Sequence, residues 1–274
     1  MSAYKPTQKV KPKKSLGQHF LKDNDIAYRI AATLDDYKGM PILEIGPGMG
    51  MLTRPLLDSG HDLTVVELDV ESVAYLSVHF PELQGRILGE DFLKCDLSKL
   101  FPGKFCVIGN YPYNISSQIF FRVLDYKDSI PCCSGMIQKE VAERLASPPG
   151  SKAYGILSVL LQAWYDVEYL FTVSEHVFDP PPKVKSAVIR MTRNNVTSLG
   201  CDEKLFKRVV KTAFNQRRKT LRNSLKPIVG DAVSKLTDEL YNRRPEQLSV
   251  AEFIALTQQI DAILQENNNN NPAQ

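Results

Sequence analysis

Asn110, Tyr111, Pro112 and Tyr113 follow one another where an apolar run of strand length, 106–108, ends at Gly109. Asn110 offers a carboxamide oxygen, Pro112 a carbonyl on a backbone of fixed φ, and Tyr113 a flat face. Together they suit a planar base that carries an amino group. Two acceptors meet its N–H bonds, and a ring lies ready for stacking. Read alone, the same residues are equally a proline-containing turn after a strand. The surrounding elements decide between the two.

A helical pattern begins near Ile115, with Ser116 or Ser117 placed to cap it. The carboxyl end of a buried strand in an α/β sheet is where such folds seat ligands. A second site of this kind lies earlier. Residues 41–45 read as a buried strand, and Gly46-Pro47-Gly48-Met49-Gly50 follows at once. A helix begins near Leu52, and a strand at 63–66 ends in Glu67. Gly46 and Gly48 let the backbone turn tightly and approach a ligand beside the positive end of a helix. Glu67 comes 21 residues after Gly46, where an acid can hold ribose hydroxyls. A dinucleotide fingerprint would need glycine at Met51, but the third glycine is Gly50. The run Glu44-x-Gly46-x-Gly48-x-Gly50 resembles S-adenosylmethionine sites, where no pyrophosphate is cradled. A third strand at 86–89 leads into Glu90-Asp91-Phe92, and Asp91 there can meet an adenine amino group, though alone it would be a loop carboxylate. Phe178 opens the rigid run Phe-Asp-Pro-Pro-Pro-Lys-Val. It is either core or the opposite face of the slot that Tyr113 begins.

The net charge of +3 conceals an asymmetry. Residues 1–22 hold six lysines, Lys13 and Lys14 among them, and no acid. Residues 23–180 hold 12 basic and 22 acidic residues. Residues 181–193, with Lys183 and Lys185, add four basic residues, and 204–226, with Arg217, Arg218 and Arg222, add nine, again without an acid. A solvated surface intersperses its signs; acid-free tracts fit a phosphate backbone. The expected partner is therefore RNA or DNA.

The 274 residues suggest one large domain or two, at roughly 150 residues each. No apolar run reaches the roughly 18–20 residues that cross a bilayer, and no secretory signal is read at the start, so the expectation is a cytoplasmic protein. Five cysteines without a Cys-x-x-Cys pair and four scattered histidines predict no metal site, no thiol nucleophile and no triad. The expected division is a flexible basic arm at 1–14, an α/β domain at 15–195, a helical RNA-binding domain at 203–264 and a disordered tail at 265–274. Residues 134–138 are expected as strand, 139–146 as helix, 155–164 as apolar helix or strand, and 186–191 as strand. In the helical part Leu205, Phe206, Val209, Val210, Ala213 and Phe214 make one stripe opposite Lys204, Lys207, Arg208 and Lys211.

From about Ser15 to Leu248 these residues resemble the KsgA family of small-subunit rRNA adenine dimethyltransferases. The segments that carry the resemblance are 16–21, 43–50, 66–69, 109–116, 138–145, 178–186 and 215–225. The resemblance implies a class I (Rossmann-like) methyltransferase with a seven-stranded sheet and a small C-terminal helical domain. It implies S-adenosyl-L-methionine as cofactor, held by His19, Leu21, Gly46, Gly48, Glu67, Asp91 and Asn110. Asn110, Pro112 and Tyr113 would hold the target adenine, with Phe178 on its other face. The implied reaction is dimethylation of two adjacent adenines in the 3′-terminal hairpin of 16S rRNA during ribosome biogenesis, by a monomer acting on the assembling small subunit. Two positions depart from the family pattern. His19 stands where asparagine is frequent, and Tyr111 stands where leucine is usual, which predicts an altered pocket wall. Three other readings stay open: a macrolide-resistance type large-subunit methyltransferase, an assembly factor acting mainly by binding, and a nicotinamide dehydrogenase.

Overall fold

The computed structural model of the chain describes residues 10–270. Two compact units emerge. The first runs to Ala142 and resumes over Asp166–Arg193; the second takes Glu143–Tyr165 and the chain from Asn194 onward.

The first unit contains β1 (Phe20–Leu21), α1 (Asn24–Ala31), β2 (Ile42–Ile45), α2 (Thr53–Asp58), β3 (Leu63–Val66) and α3 (Val70–His79). It continues with β4 (Ile87–Leu88), α4 (Leu97–Leu100), β5 (Cys106–Asn110), α5 (Ser116–Asp125) and β6 (Cys132–Gln138). After α6 (Lys139–Ala146) and α7 (Ile156–Gln162), the chain returns as β7 (Tyr165–Val173), β8 (Phe178–Asp179) and β9 (Ser186–Arg193). Seven strands form one sheet in the order β4-β3-β2-β5-β6-β9-β7. From β4 to β6 neighbours are parallel, and β9 pairs antiparallel with β6. Every residue of β2 is buried, as are the first four of β5, so these strands read as unbroken apolar runs rather than alternating ones. Helix α1 begins where its cap dictates, with the Asp23 carboxylate accepting the Ile26 N–H at 3.0 Å.

Several expectations are corrected. Neither Ser116 nor Ser117 caps α5. Ile115 holds that position without a side-chain bond, while the Ser116 hydroxyl donates to the Tyr113 carbonyl at 3.2 Å. Residues 10–14 are no free arm: Val10 is buried, and Lys13 pairs with Asp69 and Glu71. Residues 1–9 of that arm lie outside the described residues. The apolar stretch at 155–164, expected as helix or strand, is a helix, α7, with Leu157, Val159, Leu160 and Leu161 buried, and the edge strand β7 that follows it is not among the expected elements. Sequence reasoning placed 143–165 with the α/β domain, but the segment clusters with the C-terminal helices because a helix apolar on all sides needs cover all round.

Tyr111 is also placed differently. Its ring is 1% exposed and points into the sheet, where its hydroxyl donates to the Ser134 carbonyl at 2.6 Å. Gly109 and Gly135 make the space: a Cβ on either would sit 2.9 or 2.7 Å from the ring. The buried ring therefore supports the strand tips, and the residue still forms part of the cavity lining.

The second unit adds α8 (Glu203–Asn215), α9 (Leu221–Ser224), α10 (Lys226–Val229) and α11 (Val250–Asn270). Phe206, Val209, Val210, Ala213 and Phe214 of α8 are buried as the stripe predicts. Phe214 stacks on Phe253 of α11, with ring centres 5.9 Å apart, and meets the edge of Tyr154. The tail expected to be disordered is helical through Asn270; 271–274 lie outside the described residues.

Tyr111→Phe removes one buried hydroxyl and leaves the ring. It should cost about 1–3 kcal/mol of stability, since the Ser134 carbonyl loses its donor in the interior. A urea midpoint unchanged from wild type would show that this bond contributes nothing.

Candidate active site

The sheet order reverses between β2 and β5, and a crevice opens beyond their carboxyl ends. A cavity of about 300 Å³ occupies it. Of the residues singled out from sequence, His19, Gly46, Gly48, Glu67, Asp91, Asn110, Pro112 and Tyr113 line it.

On the β2 side the loop carries Gly46, Gly48 and Gly50 at φ of 66°, 58° and 82°. Only glycine adopts such angles without strain. At Gly48 a Cβ would also lie 2.8 Å from the Phe20 ring, so the bare backbone forms part of the cavity floor. Glu67, at the tip of β3, is 6% exposed. Its Oε2 accepts the Gly48 N–H at 3.0 Å and its Oε1 the Asp69 N–H at 2.8 Å. Burial pushes its carboxyl above the usual range, and these backbone donors pull against that shift. The carboxylate is thereby fixed in place with lone pairs still free for hydroxyl groups. Asp91 accepts the Leu93 N–H at 3.0 Å.

On the β5 side the Asn110 Nδ2 donates to the His19 backbone carbonyl at 3.1 Å. Among the described residues no donor reaches its Oδ1. The Pro112 carbonyl accepts the Ile115 N–H at 3.2 Å, which leaves it a second lone pair. Tyr113 is pinned by a hydrogen bond between its hydroxyl and that of Ser186, and its ring stacks with His19, centres 5.5 Å apart and 25° from parallel. The His19 Nδ1 donates to the Pro180 carbonyl at 2.8 Å.

Two expected site residues lie elsewhere. Leu21 is 5% exposed and does not line the cavity; its backbone pairs with Phe178, and both side chains join the apolar core. Phe178, 1% exposed, is thus core rather than a second stacking face. Strand pairing at Phe20–Leu21, too short to read from sequence, carries both inward. Of the expected RNA contacts, Lys14, Lys183, Lys185 and Arg218 are exposed and Arg222 is half-buried. Lys13 is committed to acidic partners, and Arg217 donates to the Lys152 carbonyl at 2.7 Å, with Glu246 3.8 Å away. Sequence reasoning missed Gln18 and Leu68, which also line the cavity together with Phe92, the aromatic noted after Asp91. Leu68, an apolar residue 53% exposed directly after Glu67, is the one whose position carried a signal. Among the described residues no group of three His, Cys, Asp or Glu could hold a metal ion, and no helix is long and apolar enough to cross a membrane.

The donor set fits a nucleoside-bearing cofactor. A carboxylate is set for two hydroxyls, a second acid stands one strand away, and a glycine floor admits close approach.

Comparisons with known proteins agree with the geometry. The family model for ribosomal RNA adenine dimethylase matches residues 9–262. The chain is 75% identical over 248 residues to the Ribosomal RNA small subunit methyltransferase A of Parabacteroides distasonis, covering 90% of this chain and 93% of that one. It is 66% identical to the protein of that name from Bacteroides thetaiotaomicron, covering 93% and 96%. Among solved structures, a dimethyladenosine transferase from Plasmodium falciparum shares the fold, with a TM-score of 0.74 at 21% identity over 89% of this chain and 98% of that one. The 23S rRNA methyltransferase ErmE gives a TM-score of 0.63 at 26% identity, covering 88% and 99%.

Glu44, in the middle of β2, supplies a test of the cavity's electrostatics. Burial pushes its carboxyl up to about 8, with Glu67 adding to the shift and the Thr53 hydroxyl, 2.7 Å from Oε2, opposing it. The folded protein therefore keeps a proton that the unfolded chain releases from about 4.5 upward. The associated stability is full below that value and is lost as pH rises through about 8, a change on the order of 5 kcal/mol. Glu44→Gln should remove this dependence. The melting temperature of wild type, relative to the variant, should fall between pH 5 and pH 8.5, and a constant difference would mean that Glu44 is ionised throughout.

Proposed function

The chain belongs to the ribosomal RNA adenine dimethylase family, and from that premise we propose that it dimethylates two adjacent adenines in the 3′-terminal hairpin of small-subunit rRNA. It is an S-adenosylmethionine-dependent rRNA adenine methyltransferase with a Rossmann-like sheet and a C-terminal helical region. The relatives at 66–75% identity are named for the small subunit, whereas the large-subunit enzyme ErmE is 26% identical, so the small-subunit reading is favoured. In this reading the protein acts as a monomer on the assembling subunit, in the cytoplasm, where that subunit is made.

One observation carries the assignment of roles: Asn110 spends its amide hydrogen on the His19 carbonyl and keeps its oxygen for a ligand. S-adenosylmethionine, when bound, supplies a methyl group on a positively charged sulfur. Gly46, Gly48, Glu67 and Asp91 would hold it. The exocyclic amine of adenine is a weak nucleophile because its lone pair is delocalised into the ring. Asn110 Oδ1 and the Pro112 carbonyl accept its two N–H bonds, which favours a pyramidal nitrogen with its lone pair free to attack. Catalysis is then chiefly positioning. No strong base is required, because alkylation makes the nitrogen's proton acidic enough to pass to water. The adenine must leave its stack at a cost of a few kcal/mol, and stacking on the pinned Tyr113 ring returns about 1–3 kcal/mol. The exposed cations Lys14, Lys183, Lys185 and Arg218, with the half-buried Arg222, are assigned to the phosphate backbone.

Asn110→Ala should lower kcat by about 100- to 1000-fold or more, with RNA affinity nearly unchanged, as expected when a bond to the reacting amine is removed. Near wild-type turnover, read by mass spectrometry of methylated RNA, would remove Asn110 from the mechanism. Arg218→Gln together with Arg222→Gln should weaken RNA binding and reduce its salt slope by about 1 for each phosphate left without its cation. An unchanged slope would take these residues out of the interface.

A further inference from the structure

One buried carboxylate beside the cavity has no part in the roles assigned above. Asp69 caps α3 and is 2% exposed. A cap needs one or two backbone donors, but Asp69 receives four groups. They are the Lys13 ammonium, the Gln18 Nε2 at 3.2 Å, the Ser72 hydroxyl at 3.2 Å and the Glu71 N–H at 3.2 Å. Two of these come from more than 50 residues earlier in the chain. Gln18 is held at both ends of its amide, since its Oε1 accepts the Lys13 N–H at 2.8 Å.

The segment held in this way is the N-terminal strap that lines the cavity from Ser15 to Phe20. It runs close to the acceptor loop. Gly17, at φ 63°, passes Asn114 so tightly that a Cβ would lie 2.7 Å from its Oδ1. The next residue but one, His19, presents its backbone carbonyl to Asn110. A carboxamide has two ends of nearly equal size, and only hydrogen bonding distinguishes them. A carbonyl can accept but not donate. The His19 carbonyl therefore takes the NH₂ end of Asn110 and turns the oxygen away from itself. With no such partner, the amide could present its NH₂ to an amine that also donates, and two donors would oppose each other.

We propose that Asp69 is a positioning residue for methyl transfer, which, by holding Gln18 and Lys13, sets the His19 carbonyl that selects the orientation of the Asn110 amide. The proposal rests on the reading of Asn110 as acceptor for the adenine amine. The line of action runs from Asp69 through Gln18 and the His19 backbone to Asn110, and its end point is the direction in which one oxygen faces. The side chain of residue 19 is not a link in it, because the contact to Asn110 is made by the main chain.

The test compares Asp69→Asn, which keeps a capping oxygen on α3, with Gln18→Ala, which leaves that cap untouched. Each is made in the full chain, alone and combined with Asn110→Ala. Methyl transfer from S-adenosylmethionine to small-subunit rRNA is followed under single turnover, alongside melting temperatures. Both single variants should lower the rate at saturating cofactor and RNA by roughly 10- to 100-fold, the scale of a small misplacement of a reacting group. Apparent affinity for RNA should change less than about twofold, since phosphate contacts carry it. In the Asn110→Ala background the same substitutions should change the residual rate less than about threefold, because the group they position is gone. Unchanged rates in both single variants would overturn the proposal. So would losses that multiply in full in the Asn110→Ala background, since they would arise elsewhere. If Asn110→Ala alone stays near wild type, the acceptor reading falls first and takes this inference with it. If Asp69→Asn melts early, Gln18→Ala decides the matter alone.

Discussion

Neighbouring strands in this sheet leave β2 and β5 in opposite directions, and the rest of the molecule depends on that divergence. Where the order reverses, no crossover connection covers the strand ends, so a crevice is bounded by backbone and by whatever side chains stand at the tips. The glycine loop occupies one lip, and Asn110 to Tyr113 the other. Each lip alone is a turn. In the proposed reading, their placement across one gap lets a methyl donor and a methyl acceptor be presented to each other.

Acids line the donor side of that gap, and they differ in state because they differ in surroundings. Glu44 lies fully inside the sheet with a single hydroxyl as partner, and burial keeps it protonated near neutral pH. Glu67 stands one strand away at the rim, where two backbone N–H groups share the load. Asp69, just beyond, is surrounded by donors. Burial would raise it, but the Lys13 ammonium and the Gln18 amide hold it below its usual value. On or just beyond two neighbouring strands the same functional group thus stands in three different surroundings.

Much of this was legible in the sequence. Apolar runs of four or five residues flanked by glycine marked β2 and β5, the Asn-Tyr-Pro-Tyr run fell at the end of β5, and the acids at 67 and 91 fell after β3 and β4. What sequence could not supply was direction. Phe178 follows the same rules of residue type as Tyr113, yet pairing of β8 with β1 turns it into the core, and a two-residue strand leaves no periodicity to read. Lys13 belongs to a basic tract and was assigned to phosphate on that ground. A local count of charge does not reveal that Asp69 and Glu71, more than 50 positions away, fold beneath it. The edge strand β7 and the membership of 143–165 in the second unit likewise depend on contacts distant in sequence.

The resemblance implies asparagine where this chain has His19, and the bond to Asn110 is made by the main chain of that residue rather than by its imidazole. Peptide carbonyls are the same in every residue, so this link is blind to mutation at the position that makes it. What the imidazole adds is separate: a ring against Tyr113 and a tether to Pro180. In the proposed reading, a change of side chain at this site reshapes the shelf beside Tyr113 while leaving the main-chain bond to Asn110 in place.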